Sequence, residues 1–405
     1  MKTRTIAILT LILGLTGCKN QQTMTHEQQS IPNYTNPLTS GSPALQKLNF
    51  QDWPDIGRAW ESRDLFLQDS IDNSVGWFDA PSSKQWFPIE GVTHEQAKNS
   101  VIALRRIIEK SNTKEQFISE LRDRFDVYRS VGCDGEGTVL FTGYYSPDFH
   151  ASRTPTSQCR APLYERPSDL VSDPNSGEPL GRKLASGAIE PWPTRRELVS
   201  SGELIGTELV WVRDNLDAYI IHVNGSARLR MDTGELMYIG YAGKTDQPYT
   251  GLGHSVLNAG LLSPDKLSLR AIRRLYDKDP EQVNNLINNN KSFVFFREYD
   301  GDNWPAGSLG VPVTAQRSIA TDKTIFPRGG VVLVDTTICS LAGEEKSFIQ
   351  FMTDQDTGGA IRAPGRADLF MGIGPTAGIK AGDQYAEGQL YYLFLKSDTL
   401  ATIQD

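Results

Sequence analysis

The spacing of apolar residues changes several times along this chain, and each change marks an element. Thr93 with Gln96 has the form of a capping box, and Val101, Leu104, Ile107 and Ile108 follow at helical spacing. A second helix is predicted from about Thr113 to Phe125. Upstream, Ile56 to Leu67 and Trp77 to Trp86 mix helical spacing with Pro-broken loops. From Thr138 the period shortens, and Val139-Leu140-Phe141-Thr142-Gly143-Tyr144-Tyr145 reads as a strand ending at a glycine. Ser146 to Glu190 is rich in Pro and Ser and carries little regular pattern. Ala218 to Tyr241 is predicted as a meander. Its first strand, Tyr219 to Val223, runs into Asn224-Gly225, a strong hairpin signal, and Asp232-Thr233-Gly234 makes the second turn. Helices are predicted over Pro264–Tyr276 and Pro280–Asn289. Short apolar runs at Phe293–Arg297, Val331–Asp335, Phe348–Thr353 and Leu390–Leu395, bounded by turn residues, indicate a barrel or sandwich.

The N-terminus changes this picture by setting a compartment. Lys2 and Arg4 precede an apolar run from Ile6 to Leu15, then Thr16-Gly17 and Cys18, the layout of a secretory signal. The run is too short for a mature bilayer span, which needs about 20 residues. Leu15-Thr16-Gly17-Cys18 has the order of a lipobox, so residues 1–17 are expected to be removed and Cys18 acylated. Lys19, where Asp resembles an inner-membrane retention signal, points to the periplasmic face of the outer membrane. Residues 18–44, rich in Gln, Thr, Ser, Asn and Pro, read as a lipidated flexible tether. The rest exceeds what one core usually supports, which predicts two domains. A net charge of -8 argues against a nucleic-acid partner. Cys133, Cys159 and Cys339 form no CxxC and no Cys/His cluster, so no metal site is expected. They leave two readings, a Cys133–Cys159 disulfide or three buried thiols.

The segment richest in chemistry runs from Asp354-Gln355-Asp356-Thr357-Gly358-Gly359-Ala360-Ile361-Arg362 to Arg366-Ala367-Asp368-Leu369-Phe370-Met371-Gly372. A buried strand delivers Asp354 and Asp356 to a loop where Gly358-Gly359 admits a close ligand. Asp368 precedes Leu369, Phe370 and Met371, and an aspartate among apolar groups has its acid form favoured. Such a group can protonate a glycosidic oxygen. The plainer reading is that these aspartates bond loop amides. Gly372-Ile373-Gly374-Pro375 fails as a dinucleotide motif, because it lacks the third glycine and holds a proline. No Gly-x-Ser-x-Gly elbow is present, and His222 and His254 read as hairpin and loop residues. Tyr144, Tyr145, Trp192, Trp211, Tyr238, Tyr241, Tyr249 and Trp304 lie in or beside Gly/Pro loops. Their faces suit sugar rings, or they pack the core.

Taken together, these stretches resemble the membrane-bound lytic murein transglycosylase A family. The matching segments are Phe141-Thr142-Gly143-Tyr144-Tyr145-Ser146-Pro147, Pro162-Leu163-Tyr164, Gly240-Tyr241-Ala242-Gly243-Lys244 and Ser292 to Arg297. They continue through Pro312 to Asp322, and from Asp356 through Asp368 to Gly372. The resemblance implies a mostly β fold with some helices. A double-psi β-barrel domain, residues 45–146 and 303–405, would be interrupted by a smaller β domain, residues 147–302, with a glycan groove between them. It implies Asp368 as catalytic acid/base, Asp356 as a supporting carboxylate, and Thr142, Tyr144, Tyr145 and Ser318 as groove residues. Arg297 stands near where the family tends to place a groove lysine, and Gly358 and Gly359 would offer backbone donors to the sugar.

The activity so implied is cleavage of the β-1,4 bond between N-acetylmuramic acid and N-acetylglucosamine, with 1,6-anhydromuramoyl ends and no cofactor. The implied partners are peptidoglycan glycan strands, a membrane through Cys18, and cell-wall synthase or scaffold proteins. Two other readings stay open: an inverting glycoside hydrolase with Asp356 or Asp354 as base, and a non-catalytic peptidoglycan-binding lipoprotein.

Overall fold

A computed structural model describes residues 32–401 except 175, 176, 264, 265, 342 and 360. Asn33–Asp405 form a compact unit of their own. The leader, Cys18 and the tether to residue 31 lie outside the described residues, as do Pro264, the predicted start of a helix, and Ala360 of the Gly-rich loop.

Residues 33–44 are docked, although their composition predicts the end of a loose tether. Tyr34 donates its hydroxyl to Glu387 at 2.7 Å, and the buried Ala44 gives its N–H to Glu90 at 2.9 Å. The few apolar groups of this stretch, Leu38 and Ala44, reach the main core, which offsets the ordering cost.

Strand β1 (Leu45–Lys47) leads into helices α1 (Ile56–Glu61), α2 (Leu65–Asp79), α3 (His94–Lys110) and α4 (Lys114–Arg124). Asp55, Asp64, Thr93 and Thr113 cap them, each side chain accepting from a first-turn N–H. Only half of the Thr93 box forms, because the Gln96 amide reaches to the Leu395 carbonyl at 2.9 Å instead. Next come β2 (Phe125–Ser130) and β3 (Val139–Ser146).

The chain then leaves the main sheet. Short strands β4 (Asp148–Ser152), β5 (Ala161–Tyr164), β6 (Leu170–Ser172), β7 (Pro179–Lys183) and β8 (Ile189–Glu190) occupy the stretch that shows little pattern in the sequence. Helix α5 (Arg195–Ser201), β9 (Glu208–Val212), α6 (Asn215–Asn224), β10 (Ser226–Met231), β11 (Leu236–Lys244), α7 (Leu252–Asn258), α8 (Leu269–Lys278), α9 (Pro280–Ile287) and β12 (Val294–Tyr299) follow. They build a six-stranded sheet, β12-β11-β10-β4-β9-β5, and a three-stranded sheet, β6-β7-β8. The predicted strand Tyr219–Val223 is helical. Asp214 caps α6, and Gly225, at φ 73°, ends it as a left-handed C-cap and not as a hairpin turn. The hairpin at residues 232–234 does form, joining β10 and β11 antiparallel.

On its return the chain adds β13 (Ser318–Ala320), β14 (Val331–Cys339), β15 (Glu345–Asp356), β16 (Arg366–Ile373), α10 (Gly374–Asp383), β17 (Tyr385–Leu395) and α11 (Ser397–Ala401). Strands β17, β14, β15, β13, β16 and β3 pair in that order, and β3 pairs back onto β17, closing a six-stranded ring. Two of its pairings, β13/β15 and β16/β3, are parallel. The result is a sheet-rich fold with helices, in which α2 and α3 pack on the ring and share its core. Cys133, Cys159 and Cys339 are free thiols, and Cys159 alone of them is buried, so neither cysteine reading holds entire. Among the described residues no helix is long and apolar enough to cross a membrane.

Candidate active site

Register in the closed ring brings the acidic segment to one level. On β13, Ala320 is paired on one side with Asp356 of β15 and on the other with Asp368 of β16, and Asp368 is paired in turn with Thr142 of β3. Side chains two apart on a strand share a face, so Arg366, Asp368 and Phe370 stand with Thr142 and Tyr144. Thr142 donates its hydroxyl to Oδ1 of Asp368. The Arg366 guanidinium gives one N–H to that same oxygen at 3.2 Å and to the Thr142 hydroxyl at 3.0 Å. Oδ2 of Asp368 accepts nothing among the described residues, and the side chain keeps 16% of its surface exposed. Of the apolar neighbours expected around Asp368, Phe370 alone shares its face. Leu369 and Met371 alternate into the core on the other face, leaving Asp368 with polar company.

Asp356 ends β15. Its Oδ1 accepts from the N–H groups of Ser308 and Thr357, both at 2.8 Å. Burial pushes its carboxyl above the usual range, against the pull of Tyr144, these amides and Lys323. The Tyr144 ring tilts on Phe370 at 5.1 Å, and its hydroxyl lies toward Asp356 without reaching ordinary hydrogen-bond geometry. Burial, then the charges of Asp356 and Asp368, hold that hydroxyl far above the usual tyrosine range. The N–H groups of Gly358 and Gly359 donate to nothing among the described residues.

Other predicted residues go elsewhere. Asp354 is fully buried, ion-paired to Lys323 and bonded to Thr321 and Tyr392, so it is closed to substrate as a base. Ser318 is fully buried and donates to Gln355 at 2.6 Å beneath α2. Tyr145 faces the core against α10, where a Cβ on Gly378 would meet its ring at 2.9 Å. Neither is a groove residue, because strand alternation turns Tyr145 away from Thr142 and Tyr144 and a polar knot under α2 engages Ser318. Arg297 is exposed on β12, stacked on Tyr299 at 4.5 Å and lining a cleft of 560 Å³ with Tyr241 and Arg166. Trp192 and Trp304 are buried, which favours packing for those two.

The strands carrying these residues fall within two family matches. One is the MltA specific insert domain over residues 140–297, and the other is the 3D domain over residues 317–394. The membrane-bound lytic murein transglycosylase A of Vibrio cholerae is 31% identical over 271 residues, covering 66% of this chain and 68% of its own. The chain belongs to the membrane-bound lytic murein transglycosylase A family. A membrane-bound lytic murein transglycosylase from Agrobacterium tumefaciens has the same fold, with a TM-score of 0.70 and 28% identity over 87% of this chain and 98% of that one. The Escherichia coli family member, solved with chitohexaose bound, superposes with a TM-score of 0.65 at 22% identity, covering 91% of this chain and 97% of its own.

Within this transglycosylase A frame, two residues that the sequence leaves without a role, Arg366 and Lys323, stand by the acidic row, as does Tyr249 from the candidate aromatics. Arg366 touches Asp368 directly, and its place two residues before Asp368 on a strand was the available signal. Tyr249, from the loop after β11, has its hydroxyl pushed up by burial, with Tyr219 and the Asp368 charge adding. Lys323 is buried under Asp356, and no local pattern marks it. Among the described residues no cluster of His, Cys, Asp and Glu is arranged to hold a metal ion.

Proposed function

We propose that this protein is a peptidoglycan lytic transglycosylase that works with one carboxyl group, Asp368. The observation that supports this best is the unequal state of the two Asp368 oxygens, one held by Thr142 and Arg366 and the other free at an exposed edge. The names of the relatives support the substrate class.

Glycan lies along the acidic row with the bond between N-acetylmuramic acid and N-acetylglucosamine beside Asp368. The acid form of Asp368 gives its proton to the bridging oxygen, which leaves with N-acetylglucosamine as a hydroxyl. Positive charge builds at C1 of the muramoyl ring. The Asp368 carboxylate then takes the proton from the C6 hydroxyl, whose oxygen bonds to C1 and closes the 1,6-anhydro ring. Water takes no part. Thr142 and Arg366 fix the carboxyl, Tyr144 offers a sugar platform, and Asp356 with the free amides of Gly358 and Gly359 orients the ring and stabilises charge. Arg297 sits farther along the substrate path.

Residues 45–146 and 303–405 form one wall of the groove and residues 147–302 the other. Acylation of Cys18 holds the enzyme on the periplasmic face of the outer membrane, where synthase or scaffold proteins are its partners.

Asp368→Asn is expected to lower release of anhydromuropeptides from sacculi by about 10³-fold while fold and glycan binding persist. Mass spectrometry of the digest reads this, and near-wild-type release would remove Asp368 from the role. One observation favours a second reading, an inverting hydrolase with Asp356 as base. Asp356 and Asp368 flank the same residue of β13, so their backbones lie two strand spacings apart, about 9.5 Å. Reducing ends in the digest, in place of anhydro ends, would select it.

A further inference from the structure

Lys244 is a half-buried cation with nothing to hold. It ends β11, and its Nζ lies 3.5 Å from where a Cβ on Gly359 would stand, so it borders the acidic row. It makes no hydrogen bond or ion pair among the described residues. Burial holds its ammonium below the ordinary lysine range. The neighbouring carboxylate, Glu178, is engaged by Arg362 at 3.1 Å. A desolvated ammonium without a partner is costly, and an anion from outside would relieve the cost with a charge-assisted bond.

The same pair of strands carries a second cation, Arg297, which is exposed and donates to the Tyr299 hydroxyl at 2.8 Å. Arg297 is paired in register with Gly240, and Val294 with Lys244. Four residues of strand separate the two levels, roughly 13 Å. Arg297 has no carboxylate partner among the described residues, and its cleft also holds the acids Glu165 and Glu298. Val294 and Arg297 are three apart on β12, so Lys244, level with Val294, takes the other face of the sheet from Arg297 and stands by the Gly-rich loop alone. A glycan strand stripped of its stems keeps only the lactyl carboxylate fixed to each muramoyl ring, so it has no charge beyond the sugar rings. The peptide stem on each muramoyl unit of peptidoglycan does, with carboxylates and an amine spaced along an extended chain.

We propose that Lys244 is a subsite for a carboxylate of the substrate's peptide stem. The proposal rests on the transglycosylase reading above. Lys244 binds the stem and takes no part in bond breaking.

The test compares two substrates: glycan strands carrying peptide stems, and the same strands stripped of them by an amidase. With Lys244→Gln, kcat/KM on peptide-bearing strands is expected to fall about tenfold or more, through KM. Stripped strands should be cleaved as by wild type, and Lys244→Arg should restore most of the loss. Equal losses on both substrates, which would place Lys244 on the lactyl carboxylate that the amidase leaves, or no loss on either, would overturn the stem subsite. Lys244→Met, with its similar stem, gives a second variant with the same expected split. Wild type that cleaves neither substrate would instead sink the transglycosylase reading, and the subsite with it.

Discussion

His222 shows how burial turns a single side chain into a pH-dependent load on the fold. It packs edge-on to Phe293 at 4.7 Å, takes an Arg195 guanidinium at 3.0 Å, and is fully enclosed in α6. Burial first, and the Arg195 charge second, hold its imidazole well below the ordinary histidine range. A depressed pKa means that the unfolded chain binds the proton more readily than the folded one. Stability is therefore complete above about pH 6.5 and falls as pH drops below it, by up to about 1.4 kcal/mol per unit. Urea unfolding at pH 7.5 and 5.5 should show that loss in wild type and a flatter dependence in His222→Gln. A histidine beside Asn224-Gly225 gives no sequence sign of this burial, because the enclosing Phe293, Phe296 and Arg195 come from distant segments.

Elements differ in how much of their fate is local. Helices α1 to α4 begin where oxygen-bearing caps precede them, and β14 and β15 follow their apolar runs. The stretch Tyr219–Val223 fails the local test because a hairpin glycine and a helix-ending glycine have the same left-handed need. Asp214 at one end and the buried faces of Leu216, Tyr219 and Ile220 decide for helix. Gly225→Ala is then expected to cost about 1 kcal/mol, and Gly225→Asn less, since asparagine tolerates that conformation better. Thermal unfolding of the two variants checks the order. The acidic row divides in the same way. The Gly-rich loop and its aspartates are visible in the sequence, while the burial of Asp354 and Ser318 follows from packing beneath α2 and inside the ring.

At the scale of the molecule, closure of β17 onto β3 makes the ring continuous and leaves those six strands bonded on both sides. The sheet β6-β7-β8 is short and leaves Leu180, Leu184 and Ile189 exposed. Amide exchange should accordingly be slowest in the centres of β14, β15 and β17 and fastest over β6 to β8. Equal protection in the two regions would show that the small sheet opens only with the whole fold. The sequence by itself determined the family, the capped helices, and the strands that carry Thr142, Asp356 and Asp368, because caps, apolar period and motif order act over neighbouring residues. Only the tertiary structure decided which oxygens meet. Thr142 and Asp368 are 226 positions apart, and the register of β16 on β3 joins them. Which face a side chain takes, and whether it ends in core or cleft, depends on pairing partners that no local window contains.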